Sequence, residues 1–246
     1  MTLATAIRRL LLVTPFTEPL VPLLQRIRFH RQLSAIYARH HEDTMVPRCA
    51  FIDNLVLAAR VASVEGVIVE CGVWRGGMMA GIAEVLGARR SYYLLDSFQG
   101  LPPADPVKDG LRAVAYQADR QNPAYHDNCR AEASFAERAM QRAGATRYEL
   151  LRGWFADTLP LFKSAEPIAL LRLDADWYES TVQCLTALYP LVRAGGLIIF
   201  DDYHYWDGCT RAVHDYLAHH GLPERIRESS HGVAHLVKGW SARGAN

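Results

Sequence analysis

Four carboxylates stand at the ends of two successive apolar runs. One run closes as Leu173-Asp174-Ala175-Asp176-Trp177-Tyr178 and the next as Phe200-Asp201-Asp202-Tyr203. If both runs are paired strands, they lie about 4.8 Å apart, so Asp174 and one or both of Asp201 and Asp202 can converge on a single point. Negative charge at that density is costly without a cation. An all-carboxylate donor set favours a hard, oxygen-seeking ion such as Mg²⁺, whereas zinc would call for His or Cys. Asp176 falls two residues past Asp174, hence on the same face if the extended geometry continues. It is a candidate general base; its other reading is an N-cap or solvated carboxylate before a helix starting near Ser180.

A second group follows an earlier apolar run as Glu70-Cys71-Gly72-Val73-Trp74-Arg75-Gly76-Gly77. Glycines here let the backbone pass close to a ligand and turn sharply into a helix. The pattern is not a dinucleotide fingerprint, because Trp74 takes the place of the second glycine and would obstruct a pyrophosphate. That counts against an NAD-dependent dehydrogenase. Glu70 at the strand end suits a cationic ligand, and S-adenosylmethionine carries both an ammonium and a sulfonium; Gly72, Trp74, Gly76 and Gly77 then form the loop beside it. The next run ends in Asp96-Ser97-Phe98. An acidic residue there can accept both hydroxyls of a ribose, although aspartate is also a common cap or turn residue. Gly153-Trp154-Phe155, after a third run, offers aromatic surface to an adenine or packs in the core. Met45, upstream, is a further candidate for this pocket.

These residues need a scaffold that brings strand ends together. Short apolar runs at Val67 to Cys71, Tyr92 to Asp96, Tyr148 to Arg152, Ile168 to Leu173 and Leu197 to Phe200 read as strands. Helical stretches from about Gly77 to Leu86, Asn128 to Arg142, Ser180 to Val192 and Thr210 to His219 alternate with them, the βαβ signature of a parallel sheet. Arg225 to Lys238 reads as two strands pairing at the sheet edge. Before residue 60 the spacing of Phe51, Leu55, Val56 and Ala59 is helical. The Pro- and Gly-punctuated segment Gln99 to Asp127 is too long for a structureless connector and reads as a lid. Residues 1–60 are therefore expected to form an N-terminal helical extension, and 61–246 an α/β domain carrying a lid at 99–127.

The 27 basic and 26 acidic residues nearly cancel, with no basic stripe, which argues against a nucleic-acid partner. Arg8-Arg9 followed by Leu10 to Val13 is interrupted by Thr14, Pro15 and Glu18. That run falls far short of the roughly 18 apolar residues of a membrane span, so a helix packing on its own domain or on another subunit is expected. Five widely spaced cysteines without a metal-type spacing point to a reducing, cytoplasmic setting.

In combination, the Glu70 to Gly77 loop, Asp96-Ser97-Phe98, Leu173-Asp174-Ala175-Asp176 through Tyr178-Glu179-Ser180-Thr181, and Asp201-Asp202-Tyr203 resemble the macrocin O-methyltransferase family. Its relatives include mycinamicin and novobiocin-pathway sugar methyltransferases. The resemblance covers roughly residues 40 to 240. It implies a Rossmann-like class I methyltransferase fold, a mostly parallel sheet of about seven strands with helices on both faces. It also implies Mg²⁺-dependent methyl transfer from S-adenosylmethionine to a deoxysugar hydroxyl of a natural product. By the same resemblance Asp174, Asp201 and Asp202 match metal ligands, Asp176 the base, and Glu70, Gly72 and Asp96 cofactor contacts; a homo-oligomer is also implied. Catechol-type enzymes share the metal logic but usually carry Asp-Asn where Asp201-Asp202 stands. A non-catalytic binding relative would have no reason to keep four carboxylates together. Tyr203, His204 and His126 are candidates for acceptor contact; a lone His beside aromatics is otherwise a packed or surface residue.

Overall fold

The computed structural model describes residues 20–239, and the apolar run at 10–13 lies outside them. Seven strands form one sheet: β1 (Val67–Cys71), β2 (Tyr92–Asp96), β3 (Tyr148–Arg152), β4 (Ile168–Leu173), β5 (Val192–Phe200), β6 (Arg227–Glu228) and β7 (Ala234–Val237). Their order is β3-β2-β1-β4-β5-β7-β6. Strands β1 to β5 are parallel, and β7 pairs antiparallel with both β5 and β6. The chain builds outward from β1 to β3, then returns to place β4 on the other side of β1. That reversal opens a crevice above the carboxyl ends of β1 and β4.

The helices are α1 (Leu20–His40), α2 (Arg48–Ala59), α3 (Gly77–Leu86), α4 (Gly110–Ala118), α5 (Ala133–Arg142), α6 (Tyr178–Leu188) and α7 (Asp207–His219), with short turns between them. Strand side chains alternate between the two faces, and each face has its own core. On one, Ile68, Leu94, Leu170 and Ile199 pack against Leu33, Phe51, Leu55, Ile82 and Ala139 of α1, α2, α3 and α5. On the other, Val69, Leu171, Ile198 and Phe200 meet Leu185 and Leu188 of α6 and Val213 and Leu217 of α7. Each of the larger of these side chains contributes roughly 1.5–3 kcal/mol by leaving water. The alternation also carries two charged residues inward. Glu70 follows Ile68 and Arg172 follows Leu170, so both fall on the α2 face, where the β1–β4 register sets them opposite each other.

The observed boundaries depart from the sequence reading where local backbone decides. Helix α5 starts at Ala133 rather than Asn128, because residues 126 to 129 hold φ between 47° and 61°, a left-handed stretch no α-helix can enter. Helix α6 starts two residues before Ser180, and α7 three before Thr210. Strand β5 begins at Val192, since Gly195-Gly196 are absorbed by an irregular register against β4 rather than ending the strand. Residues 99–127 are folded around α4. All five cysteines are free thiols. No helix among the described residues is long and apolar enough to cross a membrane.

The crossing of β1 and β4 at their tips requires Gly72. Its φ is +83°, and a Cβ there would lie 1.6 Å from the Asp174 carbonyl oxygen. Gly72→Ala is expected to cost at least about 2 kcal/mol and to lower Tm by at least about 5 °C in a thermal melt. A Tm within a degree or so of the parent would contradict this close approach.

Candidate active site

A cavity of about 810 Å³ occupies the crevice, with the glycine loop after β1 on one side, the acidic tips of β4 and β5 on the other, and the lid across it. Beneath it lies Arg172, whose side chain is fully buried. Its guanidinium donates through Nη1 to Glu70 Oε1 at 2.7 Å and to Asp174 Oδ2 at 2.8 Å. It donates through Nε to Asn54 Oδ1 of α2 at 3.2 Å, and Nη2 pairs with Asp201. One cation thus ties the ends of β1, β4 and β5 together.

Above this layer the carboxylates of Asp174, Asp176 and Asp202 come within 4.8 Å of one another. The group is built by short bonds between two strand tips. Asp202 Oδ2 accepts the Asp176 N–H at 3.0 Å, and Asp176 Oδ1 accepts the indole N–H of Trp206 at 2.9 Å. Asp176 itself holds a left-handed φ of +54°, strained for a residue with a Cβ. Burial, and after it the neighbouring carboxylates, hold Asp176 and Asp202 well above the usual carboxylate range. Burial pushes Glu70 up to about 8, although Arg172 pulls the other way, because that one cation is divided among three acids. The same contest leaves Asp201 at about 6.

On the opposite wall Asp96 organises the glycine loop. Its Oδ2 accepts the N–H groups of Val73 at 2.6 Å and Trp74 at 2.9 Å, and its Oδ1 accepts that of Phe98 at 2.6 Å. Burial raises the Asp96 carboxyl while these three donors oppose the shift. Trp74 is turned into the left-handed region, φ +48°, and lines the cavity. His126 meets its ring edge-on at 6.2 Å between centroids.

The lid is fastened to the acidic side. Buried Asp109 accepts the N–H of Tyr178, at the start of α6, at 2.7 Å. The Trp177 indole donates to Pro102 O at 2.8 Å, and Arg112 of α4 donates to Tyr205 O at 3.0 Å.

Of the residues singled out in the sequence, Met45, Glu70, Gly72, Trp74, Asp96, Ser97, Trp154 and Phe155 line the cavity, as do Asp174, Asp176, Asp201, Asp202 and His126. Others serve differently. Gly76 and Gly77 make room for backbone: a Cβ would lie 2.8 Å from Ala136 Cα or 2.6 Å from the Asp43 backbone. Phe98 packs on the α2-side core, and Gly153 is a positive-φ turn after β3. Tyr203 bonds His214 at 2.7 Å and His204 lies 3.6 Å from Glu228, so Tyr205 and Trp206, not these two, reach the cavity wall. Asp201 is drawn to Arg172 and is not part of the converging group, which Asp176 completes instead. The charge of the strand-tip acids is offset in part by a protein cation, Arg172. Its signal was present in the sequence: a lone arginine inside the apolar run Ile168 to Leu173, two residues before the first aspartate.

A doubly wound sheet with this strand order, and a ligand crevice at its switch point, defines a class I methyltransferase fold. The family described as macrocin O-methyltransferase (TylF) matches residues 40–234, and the chain belongs to it. Demethyldecarbamoylnovobiocin O-methyltransferase of Streptomyces niveus is 38% identical over 175 residues, 67% of this chain and 63% of that protein, so the match spans slightly under two thirds of the relative's length. The 8-demethyl-8-(2,3-dimethoxy-alpha-L-rhamnosyl)-tetracenomycin-C 4'-O-methyltransferase of Streptomyces olivaceus is 35% identical over 191 residues, 72% of this chain and 69% of that one. The solved structure of the O-methyltransferase NovP is 30% identical, with a TM-score of 0.68 over 80% of this chain and 83% of its own.

The buried acids make a pH prediction for metal-free protein. A carboxyl whose folded pKa is raised contributes stability that is complete below its unfolded pKa and is lost as pH rises through the folded value. For Glu70 that window runs from about 4.5 to about 8. In the presence of EDTA, Tm should fall as pH rises through this window, and Glu70→Gln should flatten part of the slope. An identical slope in the variant would mean that Glu70 does not titrate there.

Proposed function

We propose that the chain transfers a methyl group from S-adenosylmethionine to a hydroxyl of a deoxysugar carried by a small-molecule natural product, assisted by a divalent cation, Mg²⁺. The observation that carries this reading is the convergence of Asp174, Asp176 and Asp202 within 4.8 Å on the cavity wall facing the glycine loop. The relatives' sugar-linked acceptors support the substrate class.

The donor set fits a hard cation. The cluster offers only carboxylate oxygens, and Arg172 is one positive charge among the five carboxylates Glu70, Asp174, Asp176, Asp201 and Asp202. The surplus negative charge is what a divalent ion would neutralise. Asp174, Asp176 and Asp202 would hold it, and when bound it would supply Lewis-acid activation of an otherwise weakly nucleophilic hydroxyl. S-adenosylmethionine would supply the methyl group as an electrophilic sulfonium, with Glu70 and the Gly72 to Trp74 loop at its amino-acid end and Trp154 and Phe155 beside its base. Asp96 keeps that loop in shape and would accept from the ribose hydroxyls.

Asp176 is the proton acceptor in this reading. Asp174 accepts from the Arg172 guanidinium, whereas Asp176 accepts from a neutral indole and is held well above the usual carboxylate range, by burial first and then by its carboxylate neighbours. The lid excludes water and closes the acceptor in against the acidic tips.

The test is transfer of labelled methyl from S-adenosylmethionine to a panel of rhamnosides, other deoxysugar glycosides and catechols, followed by mass spectrometry. Methylated deoxysugar glycosides are expected; exclusive methylation of catechols would reassign the acceptor. With an accepted glycoside, exhaustive EDTA treatment should abolish turnover and Mg²⁺ should restore it. Full activity in EDTA would remove the cation from the scheme.

Asp176→Asn should lower kcat by roughly 10² to 10⁴, as loss of a base does, without recovery at high Mg²⁺. Asp174→Asn should also raise the Mg²⁺ concentration needed, but its turnover should recover once that concentration is met. Near-normal turnover of Asp176→Asn at high Mg²⁺ would make Asp176 a ligand alone and move the base elsewhere.

A further inference from the structure

We infer that Trp206 is a positioning residue for Asp176, the group through which the packing of the lid reaches the acidic cluster. The inference rests on the reading of that cluster as a cation site. Trp206 is buried, 5% exposed, at the start of α7. Its indole N–H has a carboxylate as its partner, Asp176 Oδ1 at 2.9 Å. The neighbouring indole of Trp177 is as buried but donates to a backbone carbonyl, Pro102 O.

Two further bonds close a ring with this one: the Trp206 N–H donates to Asp202 O at 2.9 Å, and the Asp176 N–H donates to Asp202 Oδ2 at 3.0 Å. The tip of β4 and the tip of β5 are therefore locked to each other through Trp206. With its backbone strained at φ +54° and its N–H committed to Asp202, Asp176 retains side-chain rotation as its freedom. The indole removes that freedom by holding one oxygen, which leaves the other for the cluster.

The ring that does this is itself held by the lid. Tyr116 of α4 meets it at 5.4 Å and Trp177 at 5.0 Å, and the Arg112 guanidinium lies 5.2 Å from its centre. A shift of α4 would move the indole, and with it the carboxylate.

Trp206→Phe keeps the stacked ring and deletes the N–H. The probe is Mn²⁺, titrated into the full chain and followed by electron paramagnetic resonance, a readout independent of the acceptor. Wild-type protein should bind Mn²⁺, and Trp206→Phe should weaken binding roughly 10-fold or more, the scale seen when a group orienting a metal ligand is removed. Trp177→Phe, the same deletion one ring away, should leave the affinity within about twofold, since it removes no partner of a cluster carboxylate. In an Asp176→Asn background, Trp206→Phe should cause little further loss, because the carboxylate it positions is gone. Unchanged Mn²⁺ affinity in Trp206→Phe, or an equal loss with and without Asp176, would overturn the positioning role while leaving the cation site intact. Failure of the wild-type chain to bind Mn²⁺ would overturn both.

Discussion

The site depends on a guanidinium placed where water cannot reach it. Arg172 is buried on the α2 face of the sheet and is shared by Glu70, Asp174 and Asp201, with Asn54 Oδ1 accepting from its Nε. Burying any of these charges alone would cost several kcal/mol, and removing one partner of such a network typically costs roughly 3–5 kcal/mol. The network is therefore a constraint on geometry more than a source of stability. It fixes the heights of three strand tips relative to one another, and the cavity is shaped by those heights.

Charge then divides into two layers. The lower layer, Glu70, Arg172 and Asp201, is partly neutralised inside the protein. The upper layer, Asp174, Asp176 and Asp202, faces the cavity with only one guanidinium contact, to Asp174. Burial raises the proton affinity of Glu70 to about 8 and of Asp201 to about 6, and lifts Asp176 and Asp202 well above the usual carboxylate range, because one buried cation does not offset the loss of water. On the proposed reading, protons and a cation would compete for the same oxygens.

The lid belongs to this arrangement as a structural partner. Asp109 on the α6 N-terminus, Pro102 on Trp177 and Arg112 on Tyr205 all fasten it to segments that carry or adjoin the aspartates. On the other wall it touches the glycine loop through His126 and Trp74. The 99–127 segment therefore borders both halves of the cavity.

Much of this was legible in the residues alone. Short apolar runs followed by polar or glycine residues located β1 to β4 at their observed bounds, because the strands of a parallel sheet covered by helices are largely apolar and the polar tip marks where each leaves the sheet. Gly72 and Trp74 of the glycine loop, Asp96 and the four aspartates were placed at the strand ends that line the cavity, because each ends or closely follows a strand the sequence located. What tertiary structure alone decided was which oxygens meet. Asp201 and Asp202 are adjacent in the chain, yet one turns below the sheet tip to Arg172 and the other joins Asp174 and Asp176 above it. Tyr203 and His204 look equivalent to Tyr205 and Trp206 in sequence, but the turn into α7 faces only the latter pair to the cavity. Sequence spacing sets which residues share a neighbourhood. Side-chain direction there depends on local backbone angles and on partners more than twenty residues away, as with Asp176 and Trp206, and only the folded chain brings those together.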